Sequence, residues 1–317
     1  MTSAPEPPLE DRRLCFVLGK GGAGKSTVAA AMGLRAAARG HRTLLVEVAS
    51  QHQMPALFGR RPREEAHRDT EMELEPGLWT ISIDPQHATE EYLAGQLRVR
   101  PLVEMLVRSR AFSHFTSAAP GLAELVTLGK AWSLAVALEP GTREPVWDRL
   151  IVDCPATGHG IALLETAQNV EELAGGGPIK EQAGRIQQVV SHPAATGIAL
   201  VARPEELSLT EAVEAAEALR RLGLPVAGAV LNGVRDRRFA DDEEPVLRAL
   251  AAGDDRRAAV AGRAGLADLE GARHDAAYRE RLAREARLPV RELPQLVRRR
   301  MGVDALRALA ERLGDAA

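Results

Sequence analysis

The chain has 317 residues, 45% of them apolar and 27% charged, a balance ordinary for a globular protein and long enough to bury a sizeable core. A formal net charge of −3 and a pI near 6.3 exert no general pull toward nucleic acid or anionic lipid, and 3% aromatic content excludes a stacking platform for single-stranded nucleic acid. Cys15 and Cys154 make neither a disulfide framework nor a C-x-x-C metal site, and no segment approaches the roughly 18 uninterrupted apolar residues of a membrane span, so a cytoplasmic protein without an integral membrane segment is expected.

Residues 1–12, opening MTSAPEPPLED, are Pro-rich and acidic without an apolar h-region and read as a disordered tail, not a signal peptide. Residues 14–18 (LCFVL) suit a buried parallel strand, and residues 26–39 form an Ala-rich helical stretch closed by Gly40 at the C′ position. Residues 43–48 (TLLVEV) read as a second strand, 60–75 as loop or exposed helix, and 78–83 (LWTISI) as a third strand ended by Asp84-Pro85. Residues 89–138 are mainly helical, with a break at Ala119-Pro120-Gly121, and 150–152 make a short strand followed directly by Asp153. Two helices are predicted within 160–190, separated by Gly175-Gly176-Gly177-Pro178. Strands at 197–201 and 226–231 flank an amphipathic helix over 205–222; residues 241–287 carry helical spacing, 288–293 a last strand or loop, and 303–313 a closing helix. Strands alternating with helices predict an α/β fold built on a doubly wound, mostly parallel sheet with a helical insertion. Ligands in such sheets sit at the carboxyl ends of the strands, where Gly19, Val48, Asp153 and Leu231 fall.

Residues 19–27 read GKGGAGKST and fit the phosphate-binding pattern G-x-x-x-x-G-K-[ST], between a strand and a helix as that pattern requires. The loop of Gly19, Lys20, Gly21, Gly22, Ala23 and Gly24 can turn successive backbone N–H groups toward a phosphate, while the helix adds its unpaired N–H groups and positive dipole end. In this reading the site holds a nucleotide's phosphates with Mg²⁺: Lys25 reaches the β- and γ-phosphates, Ser26 ligates the metal, and Thr27 contacts the α-phosphate. Of 41 basic residues only Lys20, Lys25, Lys130 and Lys180 are lysines. Two of the four fall inside this loop, where a compact, flexible ammonium serves better than a guanidinium. The predicted fold is therefore of P-loop NTPase type, a single domain over residues 13–317 with helical segments near 89–140 and 160–195.

The loop KGGAGKST at 20–27 resembles the deviant Walker A motif of the signal recognition, MinD and BioD class of nucleotide-dependent dimers, and LIVDCPATGH at 150–159 is similar to switch II of the ArsA family. That family includes the arsenite-pump ATPase and ATPases that target tail-anchored membrane proteins. Further similarity lies in ISIDPQHATEEYL at 81–93, PGLAELVTLGKAW at 120–132, VARPEELSLTEAVEAAEAL at 201–219 and VLNGV at 230–234. The resemblance implies that Asp153 is the Walker B carboxylate of the Mg²⁺ shell, and that Thr157, Gly158 and His159 sense the γ-phosphate. It also implies that Asn232 contacts the adenine, that residues 288–293 lie where a base-covering loop would be, and that Lys20 reaches a partner subunit's phosphates. Lys20, Lys25 and Asp153 are then the catalytic set, in a homodimer or a heterodimer with a related ATPase.

Two departures bear on function. After the second strand the family carries an aspartate that handles the attacking water; the aligned residue here is Ala49, with Glu47 two residues earlier. Alanine neither orients water nor accepts a proton, and residues two apart in a strand stand roughly 6.5 to 7 Å apart, so Glu47 does not replace it without a shifted backbone. Tight Mg-ATP binding with slow intrinsic hydrolysis is expected. The second departure is the client side: no methionine occurs between Met105 and Met301, and neither cysteine matches the arsenite pump's thiolate cluster. The leading reading is a dimeric switch ATPase whose nucleotide state governs handling of a protein client. A weakly hydrolysing regulatory subunit paired with a related ATPase is the alternative, and a ParA/MinD-type positioning ATPase, disfavoured by the T-G-H segment and the lack of a basic face, is a third.

Overall fold

The computed structural model describes residues 9–48, 53–61, 70–96, 121–173, 175–296 and 301–314. In chain order come β1 (Leu14–Gly19), α1 (Lys25–Ala38), β2 (Thr43–Val48), α2 (Gln53–Leu57), β3 (Met72–Glu75), β4 (Leu78–Ile83), α3 (Pro85–Gln96) and α4 (Leu122–Val136). There follow β5 (Arg149–Asp153), α5 (Thr157–Leu173), α6 (Pro178–Val190), β6 (Thr196–Ala202), α7 (Glu206–Arg221), β7 (Val226–Val234), α8 (Glu244–Ala252), α9 (Arg256–Ala286), β8 (Val290–Pro294) and α10 (Val303–Arg312).

These strands form one sheet in the order β3-β4-β2-β5-β1-β6-β7-β8, parallel throughout except for the β3–β4 pair. β1 and β2 are buried along their whole length, as parallel strands covered on both faces must be. On one face Val28, Leu34, Leu306 and Leu309 of α1 and α10 pack with Val17, Leu45 and Val230. On the other, Leu128, Leu164, Ile186, Leu209 and Leu282, contributed by α4 to α7 and α9, pack with Phe16, Leu18, Val152 and Leu200. The chain leaves β1 for β2 on one side and later crosses from β5 to β6 on the other, so the order reverses at β1 and opens a crevice at its carboxyl end. Helix α1 ends in a Schellman motif, with Gly40 N–H on Ala37 O at 2.9 Å and His41 N–H on Ala36 O at 3.2 Å, the glycine standing where the sequence placed it.

Three expectations are corrected. Within residues 60–75, read as loop or exposed helix, Met72–Glu75 is an antiparallel edge strand joined to β4 through Pro76-Gly77. Its sequence MELE buries Leu74 alone, too short an alternation to announce a strand. Residues 9–12, assigned to a disordered tail, include a 3₁₀ turn, Leu9–Asp11, and Arg12, whose stem lies against Gly197 while Nη1 donates to Thr196 O at 2.8 Å. Residues 1–8 lie outside the described residues, as do Ala119 and Pro120 of the expected helix break. Finally, most of the segment 288–293, where the resemblance put a base-covering loop, is β8, with Leu293 in register with Asn232. Among the described residues no helix is long and apolar enough to cross a membrane.

Candidate functional site

The glycine loop leaves the central strand at the reversal point, and two of its glycines are dictated by close neighbours. A Cβ on Gly19 would lie 2.3 Å from Val201 O of the adjacent β6, so only glycine lets the strands stay paired while the chain turns. Gly24 has φ 91°, and a Cβ there would stand 2.2 Å from Asn232 Nδ2. Asn232 reaches the loop from β7, two strands away, and donates Nδ2 to Ala23 O at 2.8 Å. Lys25 Nζ donates to Lys20 O at 3.3 Å, folding the lysine back along its own loop. Gly21 and Gly22 lie at the loop's tip with open space above them, and Thr27 follows on the first turn of α1.

Ser26, also on that first turn, donates Oγ–H to Asp153 Oδ2 at 2.5 Å, although the two residues are 127 apart in sequence. The sheet register brings them together: Asp153 of β5 lies between its two register partners at the strand ends, Val17 of β1 and Glu47 of β2, on the face that α1 covers. Asp153 is buried, and desolvation raises its pKa to about 6 against the opposing pull of the Ser26 hydrogen bond and the Lys25 charge. Desolvation likewise raises Glu47 to about 7, although its Oε1 accepts the backbone N–H groups of Gln53 at 2.6 Å and Met54 at 3.0 Å.

Thr157 opens α5 shortly after Asp153 in the chain, and Gly158 and His159 follow on its first, exposed turn. Lys20, the lysine expected to reach a partner, pairs within its own chain with Glu211 of α7 at 3.2 Å. Ala49 lies outside the described residues, with Ser50, Gln51 and His52. The structure adds two polar side chains that sequence reasoning did not single out. Gln53 places Oε1 3.4 Å from Ser26 Oγ, and Glu211 holds Lys20. Gln53 carries no signal in the sequence, and Glu211 is one of several carboxylates on an amphipathic helix, so only their tertiary placement distinguishes them.

The site fits a magnesium nucleotide. Asp153 Oδ1, the second oxygen of the carboxylate already joined to Ser26, is a buried polar atom with no hydrogen-bond partner among the described residues, and so is Thr157 Oγ1 at the start of α5. Magnesium is held by one or two protein oxygens together with phosphates and not by a dedicated cage, which a hydroxyl and a carboxylate at a phosphate loop suit.

A mostly parallel sheet whose central strand runs through a glycine loop into a helix, with a carboxylate ending the neighbouring strand, defines an α/β fold of P-loop NTPase type. The family model described as anion-transporting ATPase matches residues 12–176, just over half the chain. ATPase BagA of Mycobacterium tuberculosis is 34% identical over 225 residues, which cover 71% of this chain and 66% of that protein. The arsenical pump-driving ATPases of Acidiphilium multivorum and Escherichia coli are each 27% identical over 235 residues, 69% of this chain and 39% of theirs. The chain thus spans under two thirds of the length of these curated relatives. It belongs to the ArsA ATPase family.

Proposed function

We propose that this chain binds Mg-ATP at the Gly19–Thr27 loop and acts as a slowly hydrolysing, dimeric switch ATPase, cytoplasmic in location, that couples nucleotide state to a protein client. The Ser26–Asp153 contact carries the reading. It joins a P-loop hydroxyl to a strand-end carboxylate at 2.5 Å and leaves the second carboxylate oxygen buried and unpartnered among the described residues. When bound, Mg²⁺ would supply charge neutralisation on the nucleotide's phosphates. Ser26 and Asp153, joined to each other here, would hold its shell, while Lys25, now hydrogen-bonded to Lys20 O, and the loop amides would meet the phosphate oxygens. Lys20 stands at the mouth of the loop on an ion pair whose two side chains are 31% and 32% exposed, a contact weak enough to be exchanged for a partner's phosphate.

Two observations bear on the client. Both cysteines are buried, which argues against a thiolate site for metalloids of the kind the relatives' names imply. Helices α3, α4 and α6 frame a cavity whose walls are largely apolar, between Ala88, Leu125, Gly129 and Ile186, with Glu91, Lys130 and Gln182 also lining it, which supports a protein client over a small ion. Fluorescence titration with mant-ATP tests the nucleotide site. Lys25→Ala is expected to weaken binding at least about tenfold, and Asp153→Asn to abolish the Mg²⁺ dependence while nucleotide alone still binds. Unchanged affinity in Lys25→Ala would rule the site out.

A regulatory, weakly hydrolysing subunit is the second reading, favoured by the commitment of Glu47 Oε1 to two backbone N–H groups, which leaves it unsuited to general-base work. ATP turnover by mixtures with a related ATPase, compared with the chain alone and with Ala49→Asp, separates the two: a gain on mixing of two or more powers of ten, roughly the contribution of a positioned base, supports the regulatory reading.

A further inference from the structure

Helix α2 is anchored from outside itself. The first N–H groups of a helix lack intrahelical acceptors and are ordinarily capped by the residue just before them. Here the acceptor is the carboxyl group of Glu47 on β2, which takes the N–H of Gln53 at 2.6 Å and of Met54 at 3.0 Å. Glu47 is only 2% exposed and is the register partner of Asp153, so the anchor sits in the same row of the sheet as the carboxylate that holds Ser26. Met54 and Phe58 are buried against the α1 face, which fixes the rest of the short helix. The result is a determined position for Gln53, whose side chain is exposed with Oε1 3.4 Å from Ser26 Oγ.

We infer that the Gln53 amide, set in place by Glu47, orients the water that attacks the terminal phosphate, a task for which residue 49 offers only a methyl group. The inference rests on the Mg-ATP reading above. A primary amide suits the task because it both accepts and donates hydrogen bonds, and a glutamine orients the attacking water in some P-loop GTPases. The amide exchanges no proton. The water oxygen bonds to the terminal phosphorus, the phosphorus–bridging oxygen bond breaks with its electron pair leaving on ADP, and the water's proton passes to a phosphate oxygen. Glu47 does not touch the reacting atoms; it is a positioning residue that acts through the backbone of Gln53.

The test uses the full chain and Mg-mant-ADP with and without fluoroaluminate, a mimic of the transferring phosphoryl group, so the main readout is binding. Gln53→Ala is expected to bind Mg-mant-ADP within about twofold of the parent, to keep its melting temperature, and to lose the fluoroaluminate-dependent tightening by at least about tenfold, with turnover falling roughly 10²-fold. Gln53→Asn, which withdraws the amide by one methylene, should lose the tightening too. Glu47→Gln keeps an acceptor for the two N–H groups and should retain the tightening, whereas Glu47→Leu should lose it. Equal tightening in Gln53→Ala and parent, or none in a parent that binds Mg-mant-ADP, overturns the inference and leaves the nucleotide reading standing. No Mg-mant-ADP binding by the parent removes both.

Discussion

Asn232 spans two strands to donate its side-chain amide to Ala23 O at 2.8 Å, and in doing so occupies the space that any side chain at position 24 would need. Gly24→Ala therefore meets two obstacles, a left-handed backbone at φ 91° and an overlap with Asn232 Nδ2. The backbone term alone is about 1–2 kcal/mol. Urea unfolding of Gly24→Ala, Asn232→Ala and the double variant should show a positive coupling: Asn232→Ala relieves the overlap but not the backbone strain, so the double variant is more stable than the sum of the singles. Strict additivity would show that the two residues do not meet.

Nucleotide-free protein should lose stability as pH rises through neutrality. Glu47 has a reference value of 4.5 and stands at about 7 when folded, so the native state keeps a proton that the unfolded chain releases. Its contribution is complete below pH 4.5 and is lost as pH climbs through about 7. Asp153, raised from 3.8 to about 6, adds in the same direction over a lower window. The Glu47 displacement corresponds to roughly 3 kcal/mol over its whole span. Thermal melts in Mg-free buffer should show the decline, and Glu47→Gln should flatten its upper part; a melting temperature that rises over this range contradicts the assignment.

Glu211→Ala releases Lys20 from its intrachain partner. The pair is partly exposed, so folding should change by no more than about 1 kcal/mol. If Lys20 serves a second subunit, self-association with Mg-ATPγS, followed by sedimentation velocity, should strengthen about two- to fivefold, the ratio that the same energy produces. Weaker association would show that Glu211 supports the loop instead of holding it back.

Asp275 is fully buried in α9 and holds the strand that carries Asn232, accepting Arg235 N–H at 2.8 Å and Arg235 Nη1 at 2.7 Å. Asp275→Ala strands a backbone donor and half of an ion pair, and should destabilise the fold by roughly 2–4 kcal/mol in urea unfolding. An effect within about 0.5 kcal/mol would mean that the end of β7 is held by its sheet neighbours alone.

How far the fold was legible follows the range of its signals. β1 and α1 announced themselves because an apolar run, a glycine loop and a Gly40-closed helix are written in contiguous residues, and the Schellman bonds at Gly40 fall where the spacing put them. β3 did not, since one buried leucine carries no period, and residues 9–12 did not, since the acceptor for Arg12 is Thr196, 184 residues away. Residues 288–293 were ambiguous between strand and loop because their pairing partner, β7, lies outside any local window.

By itself the sequence determined that a phosphate-binding loop sits between a strand and a helix, and that an aspartate ends a later apolar run, because glycine spacing and hydrophobic period act over a few residues. Only the tertiary structure decided which oxygen atoms meet. Parallel register set Glu47 beside Asp153 and brought Asp153 to Ser26, and helix packing brought Glu211 to Lys20 and Gln53 to Ser26. Those contacts depend on strand order and on crossovers tens to hundreds of residues long, whose geometry emerges only when the sheet closes its core.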